Sequence, residues 1–170
     1  MEIRPFIDQL EANAEVFRVM FRQASLEIMR CRPSPEAWSG LEVLCHLYDE
    51  EREDFRQRLE LLLEDPERPW PPINPRGWVS ERGYGDRDPQ AMLIMFLAER
   101  TKSLQWLRGL SDPNWLAVKT HPALGSMTAG QLLGCWVAHD LLHMRQLIRL
   151  HYLHCAALAG ALDLGYAGDW

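Results

Sequence analysis

Two histidines, His139 and His143, stand four residues apart in the segment WVAHDLLHMRQL, Trp136 to Leu147. Four residues is slightly more than one helical turn, so in a helix both imidazoles project from one face. Two neutral imidazoles held that way can grip a divalent metal ion. The pair is equally readable as structural. An inward histidine that binds nothing costs about 1–3 kcal/mol in unmade hydrogen bonds, so each needs a partner, and a metal is one such partner. His46 offers a third nitrogen from another segment. Glu50, one turn after His46, is a fourth ligand, a group that orients His46, or a proton acceptor.

The remaining candidates carry less. No Glu-x-x-His of a di-iron carboxylate bundle occurs, and no HExxH of a zinc protease. His121 precedes a proline in a loop. His151 and His154 fall near the end of a helix, where a cationic side chain suits the helix dipole. Cys135 lies four residues before His139 and offers a thiol–imidazole pairing, although helical cysteines are usually inert packing. The acidic run Asp49, Glu50, Glu51, Glu53 and Asp54 reads as a solvated face, with Glu50 the exception.

These side chains need helices to position them. The spacing predicts a first helix from Pro5 to about Met29, on Phe6, Leu10, Phe17, Phe21, Ala24 and Ile28. Ser34–Pro35 begins a short helical turn ending near Trp38. A Ser39–Glu42 capping box opens a second helix that runs to about Glu64, with Leu41, Leu44, Tyr48, Phe55, Leu59 and Leu62 as its apolar stripe. His46 falls off that stripe. Either it is a solvated surface histidine, or the bundle is splayed there and that face lines a polar cavity.

Residues 65–87, DPERPWPPINPRGWVSERGYGDR, are rich in proline and glycine and read as a long irregular loop, functional or a packed lid. Trp70, Trp78 and Tyr84 in it are candidates to close over a substrate. A third helix runs from Asp88–Pro89 to about Leu110. After a second loop, a Thr128–Gln131 capping box opens a fourth, to His154 or beyond. Counting ~100° per residue puts Leu132, Trp136, His139, His143, Leu147 and Leu150 on one side, and Arg145 and Arg149 on the other. The tail ALDLGYAGDW is too glycine-rich to extend the helix far and is expected to fold back over the bundle. With almost no strand patterning, the fold expected is all-α, a four-helix bundle in one domain, residues 1–170.

Composition narrows the function classes. The chain is 47% apolar and 25% charged, ordinary for a soluble globular protein. No apolar run approaches the ~18–20 residues of a membrane span, and the first residues lack a signal-peptide core, so the expected location is the cytoplasm. A net charge of −6 with no basic block argues against nucleic acid as a partner. Cys31, Cys45, Cys135 and Cys155 form no CxxC pair and are expected to be reduced, mostly buried thiols.

Taken together, the sequence resembles the DinB-like superfamily of four-helix metal-binding proteins, which includes the YfiT-type and the bacillithiol- or mycothiol-dependent transferases. The resemblance rests on Trp38 with His46–Leu47, on the HD..H..QL segment from His139 to Leu147, and on HPALGSMTAGQLL at the entry to the last helix. It covers nearly the whole chain. It implies one divalent ion, nickel or zinc, on His46, His139 and His143 with water in the open positions, and a homodimer. It also favours the cavity explanation for His46.

A three-histidine ion with open coordination can convert a thiol to the thiolate near neutral pH. The leading expectation is therefore a thiol S-transferase acting on a small electrophile with a low-molecular-weight thiol, Glu50 being the candidate proton acceptor. A metal-dependent hydrolase is the alternative. The rival class is a non-catalytic metal-binding, stress-associated helical protein whose ion staples the bundle.

Overall fold

The computed structural model describes residues 2–121 and 125–168. Four helical rods build the bundle, and each starts where a side chain can satisfy the first free N–H groups. α1 (Arg4–Gln23) has Pro5 in its first turn. It ends at Gln23 rather than running on to Met29: Ala24 is extended, and the Ser25 hydroxyl accepts from the Ile28 N–H at 3.3 Å to cap a separate short helix, α2 (Leu26–Arg30). A serine able to start a new helix outcompetes the apolar periodicity that spans it. Residues 34–37 form only a turn.

α3 (Gly40–Glu50) opens on the expected capping box, with Ser39 Oγ accepting from Glu42 N and Glu42 Oε2 accepting from Ser39 N. Its first residue must be small, because a Cβ on Gly40 would lie 2.9 Å from the Ile28 carbonyl oxygen of α2. The rod continues through one π turn, Glu51–Phe55, into α4 (Arg56–Glu64). A π turn inserts backbone without ending the helix, so the faces before and after it fall out of a single 100° count.

Residues 65–87 are not structureless. They contain α5 (Pro75–Glu81), capped by the Asn74 side chain, and a 3-10 turn at Tyr84–Asp86. α6 (Pro89–Gly109) starts on Asp88, whose Oδ1 accepts from Ala91 N at 2.7 Å. The second connection also departs from expectation. It carries an antiparallel hairpin of β1 (Val118–His121) and β2 (Gly125–Thr128), with Val118 opposite Thr128 and His121 opposite Gly125. Four-residue strands are too short to leave an alternating pattern. The side chain of His121, and Pro122 to Leu124 of the HPALGSM passage, lie outside the described residues.

α7 (Ala129–Ala159) opens on the Thr128–Gln131 capping box, and the carbonyls of Ala117 and Trp115 accept from the N–H groups of Ala129 and Gly130. It outruns His154 and stops at Gly160, whose φ is +59°. Leu162 and Tyr166 beyond it are exposed, so this part of the tail does not fold back; Asp169 and Trp170 lie outside the described residues. The bundle is all-helical apart from the hairpin, and among the described residues no helix is long and apolar enough to cross a membrane.

α1 packs against α6 and α7, and the α3–α4 rod packs against the same two. The core inside comes in two halves. One gathers Phe17, Phe21, Leu44, Leu47, Phe96 and Met144; the other gathers Leu10, Phe55, Leu59, Leu104, Leu133 and Trp136. Burying each such side chain contributes roughly 1.5–3 kcal/mol. Every rod places polar residues between its two apolar contributions: Asn13 between Leu10 and Phe17, Glu50 and Glu51 between Leu47 and Phe55, Arg100 between Phe96 and Leu104, and His139, Asp140 and His143 between Trp136 and Met144. The bundle is thus two apolar cores separated by a polar layer.

Candidate metal centre

The polar layer has two parts. The first is an ion-pair network. Arg100 Nε and Nη2 donate to the two oxygens of Glu51 at 2.8 and 2.9 Å, and Nη1 and Nη2 donate to the two oxygens of Asp140 at 2.8 and 2.9 Å. The second Nη1 proton goes to the Leu10 carbonyl at 3.0 Å. All five guanidinium protons are therefore used. Asn13 Nδ2 donates to Asp140, and the Trp136 indole donates to Glu51, at 3.0 Å each. This network joins all four rods at one level. Its signal in the sequence was the step Phe96, Arg100, Leu104, an arginine standing in an apolar stripe at four-residue spacing.

The second part is the histidine cluster. His46 on α3 and His139 and His143 on α7 turn their Nε2 atoms toward one point: His46 Nε2 lies 3.2 Å and His143 Nε2 3.1 Å from His139 Nε2. All three rings are mostly buried, and His46 is only 5% exposed. Trp38 lies over His46 and parallel to His143, with centroids 4.8 and 6.5 Å away, while Phe55 lies 5.0 Å from His139. His46 is neither on a solvated face nor beside the stripe of its own helix. α3 is packed nearly all round, by α2, α5, α6 and α7, so the face off the stripe is also interior.

The protonation pattern fits a cation. His143 Nδ1 lies 2.9 Å from Gln146 Oε1, an acceptor, which puts its proton on Nδ1 and leaves Nε2 bare. With that lone pair facing His139, at most one of the two short Nε2···Nε2 contacts in a neutral trio is a well-formed hydrogen bond. Protonation does not relieve the conflict. Burial, with His143 alongside, depresses His46 to about 3; burial, with His143, His46 and the Arg100 guanidinium alongside, depresses His139 to about 2; burial also lowers His143. A divalent ion would satisfy all three lone pairs. Metal–nitrogen bonds of ~2.0–2.1 Å in a tetrahedron set neighbouring nitrogens about 3.3 Å apart, close to the spacings here. The three donors are the one His/Cys/Asp/Glu group of that kind among the described residues, and it includes no fourth protein ligand.

Glu50 sits behind His46. Its Oε1 is 3.9 Å from His46 Nδ1, too long for a hydrogen bond, and both atoms are buried without a hydrogen-bond partner. Burial, and then the neighbouring charge of Asp54, pushes Glu50 up to about 9. The acidic run as a whole is not a solvated face: Asp49, Glu50, Glu51 and Asp54 are buried. Arg52 and Arg58 pair with Asp49 and Asp54 from the same rod, and Arg82, Tyr84 and Arg100 reach the run from distant segments. Tyr84 Oη donates to Asp49 at 2.6 Å, and Arg82 bridges Asp49 and Glu53.

Other expectations are corrected by position. Trp78 and Tyr84 are buried in the core half around α3, and Trp70 packs against the other half, so none of the three closes over the histidines. The aromatic walls are Trp38 and Phe55 instead. Cys135 is exposed on a separate cleft with Gln131 and Gly134, away from the cluster; Cys31 and Cys155 are exposed too, and only Cys45 is buried. Arg145 and Arg149 do not face away from the histidines. A cleft of about 460 Å³ along α7 is lined by His139, Leu142, His143, Arg145, Gln146 and Arg149. Long side chains bend around a helix further than an angular count of Cα positions allows.

Comparison with known proteins agrees with this architecture. The family model described as DinB superfamily matches residues 9–147, which span all three histidines. A solved structure from Bacillus subtilis, YfiT, described as a probable metal-dependent hydrolase with an unusual four-helix bundle topology, superposes with a TM-score of 0.78 over 88% of this chain and 86% of its own, at 19% identity. No curated protein sequence matches the chain.

Proposed function

The chain belongs to the DinB superfamily, and from that premise we propose that it is a divalent-metal-dependent enzyme whose active site is the His46–His139–His143 cluster. The observation that carries this reading is the convergence of three mutually adjacent Nε2 atoms with no fourth His, Cys, Asp or Glu joining them among the described residues. A site meant only to staple the bundle would be closed by a fourth protein ligand. Nickel or zinc suits three imidazoles.

When bound, the ion would supply Lewis acidity, making a thiol or water at an open position reactive near neutral pH. The protein's own contribution is positional. Gln146 fixes the His143 tautomer, and Trp38 and Phe55 lock the ring planes. Glu50 faces the back of His46, so we assign it to orienting that ring rather than to taking the substrate's proton.

We favour thiol S-transfer. The thiol sulfur forms a bond to an electrophilic carbon, the carbon's bond to its leaving group breaks with the electron pair, and the thiol proton passes to water. This needs no carboxylate base, and among the described residues no carboxylate lines the cleft that reaches His139 and His143. Hydrolysis is the second reading, supported by the fold similarity to YfiT. A cytoplasmic, homodimeric protein working on small molecules completes the proposal. The test is elemental analysis of untagged protein offered equimolar zinc or nickel, followed by assays with thiol plus epoxide or aryl halide and with ester or amide substrates. One ion per chain and thiol-dependent turnover are expected; absence of stoichiometric metal in wild type would sink the site assignment.

A further inference from the structure

The cleft that reaches the histidines has a charge pattern the metal centre does not use. Arg145 and Arg149 stand four residues apart on α7 and line it together with His139 and His143. Like charges at that spacing repel. Neither guanidinium has an ion-pair or hydrogen-bond partner among the described residues. The acids nearest to hand are committed elsewhere: Asp140 to Arg100 and Asn13, Glu50 behind His46. Gln146 lies between the two arginines in sequence, and with its Oε1 taken by His143 its amide N–H₂ remains to donate. In a protein of net charge −6 this is a local positive funnel with no carboxylate in its lining.

The contrast with the cleft on the other side of α3 is direct. There, about 330 Å³ is lined by Asp49, Arg52, Glu53, Arg82, Tyr84 and Arg87; Arg52 and Arg82 pair with Asp49 and Glu53, and Arg87 donates to the Arg82 carbonyl. Each arginine of that cleft thus has a partner within the protein, whereas the exposed Arg145 and Arg149 of the α7 cleft have none among the described residues.

We propose that the Arg145–Arg149 pair, with the Gln146 amide, binds an oxyanion, a carboxylate or a phosphate, carried by the substrate or co-substrate of the metal centre. Guanidinium forks match both groups with paired N–H···O bonds. Along the helix axis, Arg145 is about 3 Å and Arg149 about 9 Å beyond His143, from the 1.5 Å rise per residue. The anion therefore sits within about two helical turns of the histidines, and the ligand is a short molecule with its nucleophile or electrophile at one end and the oxyanion at the other. This inference rests on the cluster being the active site.

The experiment separates the two claims. Full-length protein loaded with cobalt(II) is titrated with 3-mercaptopropionate and with its uncharged counterpart 3-mercapto-1-propanol, following the thiolate-to-cobalt absorption. The acid is expected to bind at least tenfold more tightly, and the Arg145→Gln/Arg149→Gln double variant to bring that ratio within twofold at unchanged cobalt content. A ratio near one in the wild type, or a preference that survives in the double variant, overturns the proposal. Displacement by inorganic phosphate against acetate at equal ionic strength tells phosphate from carboxylate. In parallel, the side-chain N–H resonances of Arg145, Arg149 and Gln146 are followed in the protein as purified. They are expected to move with phosphate or acetate and not with chloride. Should cobalt fail to bind, the metal reading falls, and these resonances alone decide the oxyanion site: shifts uphold it and their absence ends it.

Discussion

Arg100 and Asp140 meet through two N–H···O contacts of 2.8 and 2.9 Å in the middle of the bundle, with both side chains 1% exposed. Asp140 is also the residue after His139, so the helix turn that aims the imidazole at His46 is the turn that this ion pair anchors. The metal centre and the structural network share one layer and one stretch of α7.

Breaking that pair should therefore be costly. Asp140→Ala leaves Arg100 short of two acceptors in the interior, and the expected loss is about 3–5 kcal/mol in denaturant unfolding, with weaker metal binding as a consequence. Replacing Arg100, Glu51 and Asp140 together by Met, Leu and Leu should cost much less, because no charge is left buried alone. If Asp140→Ala is as stable as wild type, the network is not what holds the layer together.

Gln146→Ala frees the His143 ring to rotate and to carry its proton on either nitrogen. A 10- to 100-fold loss of zinc affinity is expected, read by competition with a chromophoric chelator, while Gln146→Glu retains the acceptor and most of the affinity. Equal affinity in the alanine variant would remove Gln146 from the site's support.

The pH dependence has two opposite arms in the metal-free protein. His46 and His139, at about 3 and 2 in the fold against 6.5 unfolded, are neutral in both states above pH 6.5. As pH falls below 6.5 the unfolded chain takes up protons that the folded one refuses, and stability drops, by about 3 kcal/mol between pH 6.5 and 5 for the two groups. Glu50, raised to about 9, runs the other way: its folded form holds a proton that the unfolded chain loses above about 4.5, so stability falls as pH rises toward 9. Thermal unfolding from pH 5 to 9 should show a maximum near pH 6.5. Glu50→Gln should flatten the alkaline arm and steepen the acid arm, where Glu50 otherwise opposes the histidines; an unchanged alkaline arm would show that Glu50 is ionised in the fold.

Tyr84→Phe deletes the hydroxyl that donates to Asp49 at 2.6 Å and leaves a buried carboxylate oxygen with Arg82 as its remaining partner. A loss of about 1.5–3 kcal/mol is expected. Because Tyr84 pins residues 65–87 to α3 and does not reach the histidines, metal content should be unaffected. Altered metal stoichiometry in this variant would place the segment nearer the site than its contacts do.

The sequence by itself determined the rods and their starts. Capping boxes at Ser39–Glu42 and Thr128–Gln131 are local hydrogen bonds, and the apolar steps along α1, α6 and α7 are local geometry, so both are legible without knowing the fold. The i, i+4 pair of His139 and His143 is local in the same way. Tertiary structure decided what depends on partners far along the chain. His46 looked stranded off its stripe because a helix packed on every side has no outer face, and the π turn at Glu51–Phe55 breaks the count on which the stripe was drawn. The acidic run looked solvated because the partners that Asp49 and Glu51 meet in the interior stand some 30 to 90 residues away, at Arg82, Arg100 and Trp136. The role of Arg145 and Arg149 was hidden because an angular count places Cα atoms, while a guanidinium reaches ~6–7 Å beyond its own and goes where the neighbouring cleft allows.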